Sequence, residues 1–186
     1  MSYDKGSNGL GFTMITSEFS AHSVASPVGS AATWRPALTR LIAGQETYLT
    51  LYDFSRVDRI GVVKEGVPAR LLTTLAGDMH ITRERLYAWL GIARATANRK
   101  IKADAMLSQD ESERALGIAR LVGQVQKVVA ESGDSNGFDA AQWSAAWLER
   151  PNQALGGKPP GEFMDTADGR ALVSGLIAQM QSGAYA

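Results

Sequence analysis

The sequence predicts a mostly α-helical protein. Apolar residues recur at helical spacing from Pro68 onward. Residues that cap helix ends sit at the borders of those apolar runs. No series of segments alternates apolar and polar residues in the manner of strands. At 186 residues the chain is long enough for a sizeable core and one or two small domains.

The elements follow in order. Residues 1–45 are expected to be a flexible arm. Its first 33 residues hold seven serines, four glycines and three charged groups, a composition that buries too little apolar surface to order alone. "TYLTLYDFSRV", residues 47–57, is richer in apolar groups and begins the folded part, with a periodicity that fits a helix or a short strand. Pro68 suits a first helical turn, after which Leu71, Leu72, Leu75 and Met79 share a face. Thr82 caps a helix bearing Leu86, Trp89 and Leu90, and Gly91 ends it. A short helix, "ARATANRKIK", follows. Ser108 and Glu111 have capping-box spacing and open a long helix through Leu116, Ala119, Val122, Val125 and Val129, which "ESGDSNG" stops. Asp139 and Gln142 open the next helix, with Trp143 and Trp147 one turn apart as expected core residues, and Pro151 stops it. A last helix starts near Asp165 and Thr166. It carries Leu172, Val173, Leu176, Ile177 and Met180 on one side and closes at Gly183. The expected divisions are an arm at 1–45, a helical domain at 46–131 and a smaller helical domain at 132–186.

Composition excludes several chemistries. The formal net charge is zero, but it is unevenly spread. Residues 69–107 carry seven basic and three acidic groups, and residues 121–186 four basic and seven acidic, giving a basic middle and an acidic end. With no cysteine there is no disulfide, thiolate nucleophile or cysteine-held metal. His22 and His80 have no partners at ligand spacing, so neither a metal nor a cofactor is expected. No signal region opens the chain and no run reaches the length of a membrane helix, which fits a cytoplasmic protein.

"PNQALGGKPPGEFMDT", residues 151–166, raises the question of phosphate binding through its GGK run. A P-loop needs a hydroxyl after the lysine and a cradle of backbone N–H groups. Pro159 and Pro160 follow Lys158 instead, which removes the hydroxyl and two donors. The prolines and glycines suit tight turns between two amphipathic helices. Glu162, Asp165 and Asp168 precede a helix N-terminus, where capping and dipole stabilisation account for them. An enzyme that uses the GGK turn is the most distant reading, and no catalytic residue is assigned.

"TRERLYAWLGIARATANRKI", residues 82–101, has the layout of a helix-turn-helix DNA reader: a helix, a tight turn at Leu90-Gly91-Ile92, then a short basic helix. The reader helix would present Arg94, Thr96, Asn98, Arg99 and Lys102. Arginine pairs bidentately with guanine, asparagine with adenine, and lysine suits phosphate. The same residues also fit a solvated basic face on an ordinary helix pair. On the DNA reading the chain is a helix-turn-helix transcriptional repressor.

Residues 138–186 carry a more specific pattern. Trp147-Leu148, Pro151-Asn152, Ala154-Leu155-Gly156-Gly157, Pro160, Glu162, Met164-Asp165-Thr166, Gly169, Leu172-Val173, Ile177, Met180, Ser182-Gly183 and Tyr185-Ala186 resemble the toxin-binding domain of the Xre/MbcA/ParS antitoxin family. "LGIARATANRK" and "LSQDESERALGIARL" are similar to that family's Xre-like helix-turn-helix domain, so the likeness covers roughly residues 57–186. The resemblance implies an Xre-like helix-turn-helix domain followed by a small helical toxin-binding domain. It also implies a non-enzymatic antitoxin that neutralises a cognate RES-domain toxin, an enzyme that consumes NAD or uses it to modify a protein. The antitoxin would cover the toxin's active site, act as a dimer in a larger complex, and bind operator DNA to regulate its own operon. The toxin-facing residues it implies are Asn152, Gly156, Gly157, Glu162, Asp165, Arg170, Gly183, Tyr185 and Ala186. One departure from the pattern is the set of alanines Ala93, Ala95 and Ala97 around the reader helix. A NAD-using pocket needs basic and aromatic groups, so Tyr185, the terminal carboxylate and an acid such as Glu162 or Asp165 are expected to oppose it.

Overall fold

The computed structural model describes residues 31–133 and 137–181. Nine α-helices and two 3-10 turns make up the regular structure among them: α1 (Ala31–Ile42), α2 (Tyr48–Tyr52), α3 (Arg56–Glu65), α4 (Arg70–Asp78), α5 (Arg83–Leu90), α6 (Arg94–Lys102), α7 (Gln109–Ser132), α8 (Ala140–Glu149) and α9 (Ala167–Gln181), with the 3-10 turns at Gln153–Leu155 and Pro160–Phe163. The described residues hold no strand, only isolated bridges between Pro68 and Met106 and between Asn152 and Lys158.

One expectation near the start is corrected and one open alternative is resolved. The arm drawn to residue 45 gives way to α1 at Ala31. Trp34, Ala37, Leu38 and Leu41 of α1 are buried. The serine-rich composition ends just before these residues, and their i, i+3, i+4 and i+7 spacing gives α1 an apolar stripe that pays for its own ordering. The ambiguous stretch at 47–57 is helical and divided. Asp53-Phe54-Ser55 separates α2 from α3, and the Ser55 hydroxyl accepts from the Asp58 N–H at 3.1 Å to start the second helix.

The other caps fall where the residue types put them. The Thr82 hydroxyl accepts from the Arg85 N–H at 3.2 Å. Gly91 ends α5 in the left-handed region at φ 58°. Ser108 and Glu111 complete a reciprocal capping box: the Ser108 N–H donates to the glutamate at 2.7 Å and the Glu111 N–H donates to the serine hydroxyl at 3.3 Å. Asp139 accepts from the Gln142 N–H at 2.9 Å at the head of α8. The expected stop at Gly183 lies outside the described residues.

Helix α7, with 24 residues, is the axis of the fold. Helices α2, α3, α4, α5, α8 and α9 all pack against it. Ala115, Ile118, Ala119 and Val122 are fully buried at its centre. One continuous hydrophobic core joins Trp34 and Leu41 from the first helix, Leu71 and Leu86 from the middle, and Leu148, Met164, Val173 and Ile177 from the last third. The stretches at 46–131 and 132–186, expected as separate domains, share that core.

Helices α2 and α7 approach closely at Gly123, where an added Cβ would lie 2.3 Å from the Tyr48 carbonyl oxygen. The missing side chain lets α2 lie directly on α7. The Leu49 N–H then donates to the Gln126 side chain at 2.8 Å, and the buried Tyr48 hydroxyl donates to Asp78 at 2.6 Å.

The apolar stripe of α9 differs in part from expectation. Val173, Leu176 and Ile177 are buried, whereas Leu172 is 48% exposed. Leu172 lies about 100° around the helix from Val173, outside the strip that faces α7. Trp143 and Trp147, expected in the core, are half-buried. Their rings stack at 6.1 Å with an interplanar angle of 8°. Phe138 adds a third ring, 6.2 Å from Trp143.

Two outcomes follow from this packing. Gly123→Ala gains up to about 1 kcal/mol of helix propensity, but its methyl meets backbone that cannot move aside. Overpacking of that kind costs about 1–3 kcal/mol, so denaturant unfolding should show a net loss, and equal or higher stability would contradict the close approach. Glu111 supplies a pH test. Burial pushes its carboxyl up, but the Lys100 ammonium together with the Ser108 N–H and hydroxyl outweigh burial and hold it below the ordinary value of 4.5. Its contribution is therefore complete above that value and fades as pH falls through the lowered one. On acidification below 4.5 the native chain should lose stability more steeply than Glu111→Gln, which keeps the box but cannot titrate; parallel curves would remove Glu111 as an acid-sensitive latch.

Candidate functional site

The basic helix α6 is held on two sides. Ala97 is buried beneath it. The Tyr87 hydroxyl of α5 donates to the Asn98 side-chain oxygen at 3.1 Å. On the opposite side the Lys100 ammonium is paired with Glu111 of the capping box, with 20% of the lysine side chain exposed. Helix α6 is thus fastened to α5 and to the head of α7, and a fixed face turns outward.

The five sequence-predicted reader residues divide accordingly. Arg94 is 70% exposed and pairs with Glu84 at 3.2 Å, a surface contact that a stronger anion can displace at little cost. Arg99 and Lys102 are exposed, with no anionic partner among the described residues. Thr96 is half-buried. Asn98 is half-buried too and its carbonyl is occupied by Tyr87, so it positions the helix before it does anything else. Arg94, Arg99 and Lys102 are the cationic side chains that the fold leaves on the outside of α6.

The segment after α8 is a clasp. The Asn152 side chain accepts from the Ala154 N–H at 2.9 Å. The Asn152 N–H donates to the Lys158 carbonyl at 3.1 Å, and the Gly157 N–H donates to the Asn152 carbonyl at 2.9 Å. Gly156 and Gly157 are both left-handed, at φ 65° and 81°, with open space where side chains would be. Residues with a Cβ would be strained at both positions. The GGK run is therefore a tight exposed turn closed on its own backbone.

The second 3-10 turn packs against the helix-turn-helix pair. A Cβ on Gly161 would fall 2.3 Å from the Trp89 indole nitrogen, so the bare glycine seats the turn on that ring. Arg85 of α5 pairs with Glu149 at the end of α8 at 3.0 Å. The Cβ of Asp165 lies 3.3 Å from the position a Cβ would take on Gly91. Sequence reasoning treated Trp89 and Gly161 as core and turn residues. Their joint role shows only when the two segments are folded together.

Among the expected toxin-facing residues, Gly156, Gly157, Glu162 and Asp165 are exposed. Neither acid has a cationic partner among the described residues. Arg170 is a correction. Its side chain is only 12% exposed, pairs with Glu113 of α7 at 2.7 Å and donates to the Met164 carbonyl at 3.1 Å. It lies over Gly117, where an added Cβ would fall 2.3 Å from the arginine Cδ. Arg170 ties α9 to α7 and has little surface left for a partner. Gly183, Tyr185 and Ala186 lie outside the described residues.

With this geometry in place, the comparisons with known proteins decide the family. Residues 58–120 match the antitoxin Xre-like helix-turn-helix domain. Residues 136–183 match the antitoxin Xre/MbcA/ParS C-terminal toxin-binding domain. Over 139 residues the chain is 45% identical to a Sphingobium sp. (strain YBL2) protein described as "Prs ADP-ribosylating antitoxin", covering 75% of this chain and 87% of the relative. The chain belongs to the Xre/MbcA/ParS antitoxin family. It is an antitoxin with a helix-turn-helix domain and a toxin-binding domain, not an enzyme, as the motifs implied. The clasp at 151–166 lies inside the toxin-binding match, and α6 inside the helix-turn-helix match. Among the described residues no helix is long and apolar enough to cross a membrane.

Proposed function

We propose that this antitoxin neutralises a cognate RES-domain toxin by covering its NAD pocket. The observation that carries the reading is the pair of exposed acids, Glu162 and Asp165, with no cationic partner among the described residues, beside the glycine turn of a toxin-binding domain. A pocket that binds the pyrophosphate of NAD is cationic, so an acidic surface held close to it competes electrostatically with substrate. The name of the Sphingobium relative includes ADP-ribosylation, a chemistry that consumes NAD. Gly156, Gly157 and the clasp residue Asn152 would shape the contact, with Gly183, Tyr185 and Ala186 extending it. Arg170 supports the surface from within.

The same chain would bind operator DNA through α6 in the cytoplasm, with a homodimer presenting two copies of that helix to half-sites about 34 Å apart. The exposed Arg99 and Lys102 favour this second activity. A repressor that acts without any protein partner would use the same helix.

Two measurements separate these roles. In co-purification with the toxin, deletion of the last four residues should weaken both complex formation and suppression of NAD consumption. Unchanged suppression would remove the tail from the interface. Arg99→Ala should weaken operator binding by about 1–3 kcal/mol if the guanidinium contacts a base, while toxin neutralisation persists. Loss of both activities together would make Arg99 structural.

A further inference from the structure

A groove of about 950 Å³ runs between α2, α3, α7 and α9, away from α6, with Met164 of the clasp at one end of its lining. Its floor is apolar, with Leu51, Val62 and Leu121 among the lining side chains, and Ile60 stands 55% exposed at its edge. Its charges are cationic: Arg56, Arg59, Lys64 and Arg120 line it. Its lining acid, Glu113, is already held by Arg170. The Nε of Arg120 is buried with no hydrogen-bond partner among the described residues, an arrangement that costs free energy. Burial, and then the nearby Arg59 charge, hold the Arg120 guanidinium below its ordinary range.

A second copy of the same face is a poor occupant, because two-fold pairing sets Arg56, Arg59 and Lys64 of each copy against the same cations of the other. The chain itself contains a better one. "LGFTMITSEF", residues 10–19, has five large apolar residues, and its Glu18 is the only Asp, Glu, Lys or Arg between positions 6 and 30, where His22 is the other titratable side chain. Helix α1, which follows this segment in the chain, packs against α3 on the side away from the groove. Trp34 lies against Gly61, 3.8 Å from the position of an added Cβ, and Arg35 pairs with Glu65. The twelve residues from Phe19 to Ala31 can span about 40 Å, well beyond the roughly 15 Å length of α3. A tether of this kind supplies an effective concentration in the millimolar range, so even weak intrinsic affinity fills the groove.

We propose that residues 10–19 of this chain dock in the α3–α7–α9 groove, with the apolar side chains on its floor and the Glu18 carboxylate among its cations. Docking covers Ile60.

The absence of native cysteine allows a direct test in the full-length chain. Ser17→Cys is combined with Ala171→Cys, at the groove, or with Thr73→Cys, on α4, and each pair is oxidised gently at low micromolar protein. The groove pair should form an intramolecular disulfide about tenfold faster than the control pair. Adding Glu18→Lys, which touches no helix of the described fold, should bring the groove pair down to the control rate. Equal rates for the two pairs overturn the proposal. So does a groove disulfide whose rate rises with protein concentration, which would assign the site to a second copy. Hydrogen exchange of the native chain gives an independent reading. Protection of α3 that Glu18→Lys removes supports docking, whereas protection that arises only after toxin is added assigns the groove to the toxin and overturns it.

Discussion

Helix α7 can serve as a common axis because its surface is unusually low where other elements cross it. Gly123 admits the backbone of α2, and Gly117 admits the Arg170 stem from α9. A side chain at either place would push a neighbour outward and open the core on that flank, since close-packed interiors transmit such displacements. The capping box at Ser108 and Glu111 fixes where the axis begins, and Lys100 draws α6 to the same point. One carboxylate therefore closes a helix end and positions the basic helix.

This arrangement governs both candidate surfaces. Helix α6 is short and polar, with little capacity to stabilise itself. Its outward face is fixed by Ala97 below, the Tyr87–Asn98 hydrogen bond on one side and the Lys100–Glu111 pair on the other. The clasp after α8 is equally dependent on support, with Gly161 seated on Trp89 and Asp165 beside the Gly91 turn. The toxin-binding segment and the helix-turn-helix pair thus share a wall, so a substitution at Trp89 alters the foundations of both. Arg85–Glu149 lies along the same boundary, but it is exposed and contributes little beyond alignment.

Much of the framework was legible in the sequence because it depends on contacts between near neighbours. Thr82, Gly91, Ser108, Glu111 and Asp139 mark helix ends through bonds three or four residues long, and the family motifs around Trp147–Thr166 identify the toxin-binding segment. Trp34 was hidden by the serine-rich stretch before it. Leu172 and the stacked tryptophans show the limit of periodicity, which tells that a face is apolar but not how far around the helix the neighbours reach.

The sequence by itself determined the helical class, most helix ends, the turn chemistry of Gly156 and Gly157, and the antitoxin family. All of these rest on local backbone preference or on residue patterns that need no partner. Only the tertiary structure decided that Arg170 faces inward, that Asn98 is a strut, and that, among the described residues, Arg99 and Lys102 have no anionic partner and an arginine in the α3–α7–α9 groove lacks an acceptor at its Nε. Those outcomes turn on which side chains from distant segments meet, and on which polar atoms lose water when they do.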